Sequence, residues 1–163
     1  MKMADLHVRI NRGARPGLHR FVDVFVGFDS VGAVRGIFGK RTRKALADLE
    51  VVIEKGRGYM YIDDRNGRLV VNADYLKRGK RVYVYLDVIH ELVHIRQYEK
   101  GMELFDKRFA YVDRPTELEA YKKTVAEARR LGLSGSALIR YLEVEWVSKK
   151  DFSRLVDSLG VLH

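Results

Sequence analysis

The pentapeptide His90-Glu91-Leu92-Val93-His94 lies inside an apolar run from about Arg81 to Lys100 that is too dense for strand alternation, and Gly101 supplies a stop. The length predicts a buried helix, although Val82-Tyr83-Val84-Tyr85 alone would pass as a strand. On a helix, residues four apart lie about 40° from one another, so both imidazoles can reach one metal ion. Glu91 points roughly 100° away from His90, toward a water on the metal rather than the metal itself. Water activation needs this arrangement: zinc lowers the pKa of the water, and a carboxylate beside it removes the proton.

A catalytic zinc takes three protein ligands and keeps one open position. Cysteine is absent, which excludes disulfides and cysteine–zinc sites and leaves histidine and carboxylate oxygen as donors. The other histidines are His7, His19 and the terminal His163. A metzincin-type extension needs glycine where Gln97 stands and histidine where Lys100 stands, and it has neither. The remaining donor is therefore a carboxylate. Arg114-Pro115-Thr116-Glu117-Leu118-Glu119-Ala120-Tyr121 offers two, Glu117 and Glu119, which point about 160° apart on a helix and so cannot face the same ion. Asp106 and Asp113 in the preceding segment are more distant alternatives.

With this segment in view, the chain resembles the gluzincins, and most of all the small single-domain forms called minigluzincins. The resemblance covers about Gly58 to Leu131 and implies an α+β, zincin-like fold: a small hairpin or sheet packed on the HExxH helix, followed by a glutamate helix. In that superfamily the ligand glutamate is followed by a small residue three positions on. Ala120 stands there relative to Glu117, so the resemblance favours Glu117 over Glu119 as third ligand. It implies a zinc metalloendopeptidase with one Zn2+ per chain, a peptide or protein substrate, and Glu91 as general base. It also implies an oxyanion donor, for which Tyr98, Tyr111 and Tyr121 are candidates. The strand before the zinc helix binds extended substrate in these enzymes, which points to Leu69-Val70-Val71-Asn72, with Tyr59 to Asp63 as the other candidate edge. Tyr121 replaces the aspartate usual four residues after the ligand glutamate in larger gluzincins, where it supports the first histidine.

The remaining elements are read from local pattern. Leu6 to Ile10 alternates as a short strand, and Phe21 to Val26 is ambiguous between strand and buried helix. Lys40 to Lys55 reads as a helix, with Ala45, Leu46, Leu49, Val52 and Ile53 at helical spacing. Runs flanking Asp64-Arg65-Asn66-Gly67 predict a hairpin, and Ala73 to Leu76 a turn or helix start closed by Gly79. Met102 to Asp113 is a loop. Pro115 opens a helix to about Leu131, with Thr116 and Glu119 at capping-box spacing. Ser136 to Tyr141 and Lys149 to Leu159 are further helices, the second capped by Ser148. The expectation is one domain over residues 1–163, with its core at about 58–131 and helical extensions at both ends that either cover the cleft or mediate assembly.

Composition sets outer bounds. A length of 163 residues with 47% hydrophobic content allows one real core. No segment approaches the length of a membrane span, and Met1 to His7 is too mixed for a signal peptide, so the expected compartment is the cytoplasm. High charge with three Asn and one Gln points to a thermophilic source. The net charge of +9 is spread over short groups: Lys40-Arg41-Thr42-Arg43-Lys44, Lys77-Arg78-Gly79-Lys80-Arg81, Arg129-Arg130 and Lys149-Lys150. No nucleic-acid motif accompanies them, and solvated basic faces are the favoured reading. The competing reading is a catalytically silent or latent zincin-like protein with a basic nucleic-acid-binding surface. The intact Glu91 argues against it, because a structural metal site has no use for a general base.

Overall fold

The first fifty residues supply strands as well as helices. The structure, a computed structural model, describes residues 6–161; Met1 to Asp5 of the N-terminal reading and His163 lie outside the described residues. β1 (Arg9–Ile10) pairs antiparallel with β3 (Phe25–Val26), and between them run β2 (Gly17–Arg20) and the single-turn α1 (Phe21–Val24). The ambiguous segment Phe21 to Val26 thus divides into a helical turn and a strand. α2 (Gly32–Phe38) and α3 (Thr42–Asp48) follow, then β4 (Glu50–Glu54), β5 (Met60–Asp63) and β6 (Arg68–Asn72).

The helix expected over Lys40 to Lys55 is corrected: it ends at Asp48, and its second half is β4. Val51 and Ile53 are buried while Glu50, Val52 and Glu54 are not. The β-branched run therefore alternates, and long-range pairing decides between two periodicities that short runs satisfy equally. β4 pairs antiparallel with β2 and parallel with β6, and β6 pairs antiparallel with β5. The sheet order is β2-β4-β6-β5. This order also corrects the proposed substrate strand. Leu69, Val70, Val71 and Asn72 form β6, which is bonded on both sides and has no free edge; the outer strands are β2 and β5.

Asn72 caps α4 (Ala73–Arg78) through its side-chain oxygen, and Gly79 ends it. α5 (Arg81–Glu99) carries the HExxH motif. Twelve of its nineteen residues are buried, so it has packed neighbours on most sides, which is why its sequence shows density rather than an amphipathic stripe. α6 (Pro115–Arg130) packs along it, with Ala120 wholly buried. The expected capping box is absent: Arg114 is the N-cap and Pro115 the first helical residue. Thr116 instead donates to the Leu104 carbonyl at 3.1 Å. Tyr85 donates to Glu127 at 2.6 Å, and Arg130 completes the clamp on Glu127 at 2.7 Å. α7 (Gly135–Leu142) and α8 (Lys149–Leu159, capped by Ser148) close the mixed α+β chain. Among the described residues no helix is long and apolar enough to cross a membrane.

The N-terminal segment grips α5 through aromatic packing. Phe28 stacks 5.8 Å from Phe21, 5.8 Å from Phe25 and 5.5 Å from Tyr85, ring centre to ring centre. Phe28→Ala removes the shared member of these three contacts and is expected to cost about 3–5 kcal/mol. Chemical denaturation would show this as a lower midpoint at unchanged slope. A shift below about 1 kcal/mol would mean the cluster does not hold α5 in place.

Candidate metal centre

α5 delivers His90 and His94 to its α6-facing side, one turn apart, and α6 delivers Glu117 from its first turn. The His90 and His94 Nε2 atoms are 3.2 Å apart. Glu117 Oε2 lies 3.0 Å from His90 Nε2, and Glu117 Oε1 lies 3.1 Å from His94 Nε2. A tetrahedral ion with bonds of about 2.0–2.1 Å needs donors about 3.3 Å apart. The two ring nitrogens stand at close to that separation, Glu117 faces them with one oxygen apiece, and all three side chains are buried, so the His90-His94-Glu117 group can hold a metal ion. Glu119, the other carboxylate of the pair, faces elsewhere. Asp106 is engaged by Arg108, Asp113 by Arg154, and His19 by the Arg15 carbonyl.

Gln97 sets the tautomer of His94. Its amide nitrogen donates to the Thr116 carbonyl and to Glu119 Oε1, both at 3.0 Å. Its amide oxygen is therefore the atom 2.7 Å from His94 Nδ1, which must carry the hydrogen. The Nε2 lone pair is left for a metal. Glu119 thus serves the site from behind, through Gln97. His90 is supported by packing: the Tyr121 ring stands edge-on to it at 4.4 Å. One turn earlier on α5, Asp87 accepts from both Tyr75 and Tyr141, tying α4 and α7 to the helix.

Glu91 is 8% exposed beside donors that are 5–7% exposed. Its carboxylate is buried and takes no hydrogen bond among the described residues. Burial pushes it up to about 8, against the opposing charge of His94 and with help from Glu117 and Asp87. Two of the three candidate tyrosines come together here. The Tyr111 and Tyr121 hydroxyls are 2.8 Å apart, and burial holds both phenols well above their ordinary range and hence protonated. Tyr98 is corrected: its ring lies under the β5–β6 turn, where a Cβ on Gly67 would come within 2.5 Å of it, and it is not part of this group.

Gln97, Asp87, Tyr75 and Tyr141 were not identified from sequence as supporting residues. Gln97 had a usable signal: it is the chain's single glutamine, and it falls at helical spacing from both histidines in an apolar run. No family model, no curated protein and no solved structure matches this chain.

The charge balance makes a measurable prediction. Burial opposes a charge on His94, but the hydrogen bond to Glu117 and the charges of Glu91 and Glu117 outweigh it and push the imidazole up to about 9. Burial raises Glu117 too, but the two histidines overcome this and hold it well below the usual carboxylate range. In the metal-free protein a proton therefore bridges His94 and Glu117, and a metal must displace it. Because the proton is bound below about pH 9, affinity for a divalent ion rises with pH and levels off above that value. Just below it each unit of acidification is expected to weaken binding about tenfold as the His94 proton is displaced. Below about pH 8 the dependence steepens because Glu91 gives up a proton as well, for roughly one to two protons released per ion. Titration calorimetry in buffers of different ionisation enthalpy measures that proton; a release near zero at neutral pH would contradict the bridge.

Proposed function

We propose that this chain is a zinc-dependent peptidase of the gluzincin type, a small zincin-like hydrolase. The observation that carries the reading is the His90-His94-Glu117 group together with Glu91, a buried carboxylate beside it that belongs to no donor set and takes no hydrogen bond among the described residues. A structural metal site uses the first and has no need of the second. Two imidazoles and one carboxylate form the donor set of zinc hydrolases of the His-His-Glu kind, and three protein donors leave a position open for chemistry.

His90, His94 and Glu117 would hold the ion. Zinc supplies Lewis acidity when bound, lowering the pKa of water and polarising a carbonyl oxygen. Glu91 takes the proton from the attacking water and delivers it to the amine nitrogen as the C–N bond breaks. The Tyr111–Tyr121 hydroxyl pair, kept protonated beside His90, is the donor available to a developing oxyanion. An extended peptide would add to β5, an outer strand packed beside α5, with the exposed Tyr61 on it. The reading is tested by the metal content of the purified protein together with peptide cleavage by wild type and by Glu91→Gln.

A further inference from the structure

A groove of about 780 Å³ lies between α2, α5 and α6, and none of the three metal donors lines it. Its size is that of a built ligand site rather than of surface roughness. Its apolar lining comes from Ile37, Val93, Leu118 and Ala126. Arg96, Lys100, Lys122 and Lys123 also line it, against the single carboxylate of Glu119. That carboxylate is already engaged by Gln97. Arg96 leans on Glu99 at 3.5 Å, but Lys100, Lys122 and Lys123 form no ion pair among the described residues. Lys123 lies directly across Gly36 of α2: a Cβ there would meet its Nζ at 3.0 Å. Three lysines thus line one apolar trough without an ion-pair partner among the described residues.

We propose that this groove docks an acidic peptide segment carrying interspersed apolar side chains. Resting on the peptidase reading, it serves as an exosite that recruits acidic protein substrates. The charge pattern excludes an apolar occupant, which would leave the three lysines unpaired. The apolar floor selects against nucleic acid, whose phosphate backbone offers no side chains to bury there and is met on open basic faces. A peptide with leucines on one side and carboxylates on the other satisfies floor and rim together.

The test is fluorescence anisotropy with a labelled peptide of glutamate, aspartate and leucine. It uses the full chain in the zinc-loaded Glu91→Gln form, which separates binding from hydrolysis. Reversing Lys100, Lys122 and Lys123 to glutamate is expected to weaken binding by about tenfold or more. Reversing Lys149, Lys150 and Arg154 on α8, the same change in net charge elsewhere, is expected to leave it within about twofold. Leu118→Gln, which changes no charge, is expected to weaken it as well. Equal loss from the α8 variant, unchanged binding by the groove variants, or displacement of the peptide by a duplex oligonucleotide of equal charge would each overturn the proposal. Hydrolysis of an uncharged peptide by the wild-type chain separates the two readings. If it persists without groove binding, the exosite fails alone; if it is absent while the groove binds, the peptidase fails alone.

Discussion

Glu91→Gln is expected to lower kcat/KM for peptide cleavage by about 10²–10⁴-fold while the protein keeps its full complement of metal. The substitution preserves side-chain size, so no cavity opens in α5, and it removes only the capacity to take up a proton. Glu91 is suited to that task by position and by environment. It stands one residue from His90 yet contributes no atom to the donor group, and its carboxylate takes no hydrogen bond among the described residues. Burial, with the charges of Glu117 and Asp87 and against that of His94, pushes it up to about 8. A positive ion on its neighbours favours the ionised form, so a loaded site holds a base where an empty one holds an acid. The measurement is steady-state cleavage with metal analysis of the same sample. A glutamine variant that cleaves as fast as wild type would remove Glu91 from the reaction, and one that loses its metal would show the carboxylate to be a ligand.

Glu117→Ala and Glu119→Ala delete the same charge two residues apart and are expected to differ by well over an order of magnitude in metal affinity. Glu117 supplies one of the three donors. If binding at such a site is worth about 10–16 kcal/mol shared among its ligands, losing one costs several kcal/mol, roughly a thousandfold or more in affinity. Glu119 is a positioning residue that acts through Gln97. Its loss frees one amide hydrogen while the Thr116 carbonyl still holds the other, so the expected cost is about tenfold. Competition with a chelator of known affinity ranks the two variants. The reverse order would mean that α6 presents its other face to α5 in solution. Thermal stability read alongside separates this from simple unfolding.

The helices of the site were legible in the sequence because their signals are local. The extent of α5 follows from an apolar run ended by glycine, that of α6 from Pro115 at its start, and that of α8 from Ser148 as its cap. The β5–β6 hairpin follows from Asn66-Gly67. The errors share one cause. Leu49, Val52 and Ile53 satisfy helical spacing and strand alternation together, and only pairing with β2 and β6 makes a strand of β4. Val70 and Val71 read as an edge until β4, whose residues precede their partners by eighteen positions, takes the other side of β6. Tyr98 shares a helix with both histidines, but the turn at Gly67 claims its ring.

Sequence alone determined that two imidazoles and a carboxylate would share one helical segment, because a helix repeats every 3.6 residues whatever surrounds it. It also narrowed the third donor to a short list by excluding cysteine and any further histidine nearby. Tertiary structure decided the rest. The choice of Glu117 over Glu119 depends on how α6 is rotated against α5, which is set by Ala120, the Tyr85–Glu127 bond and the grip of Gln97 on Thr116 and Glu119. Those contacts join residues far apart in the chain, and no periodicity along one segment encodes the angle at which two segments meet.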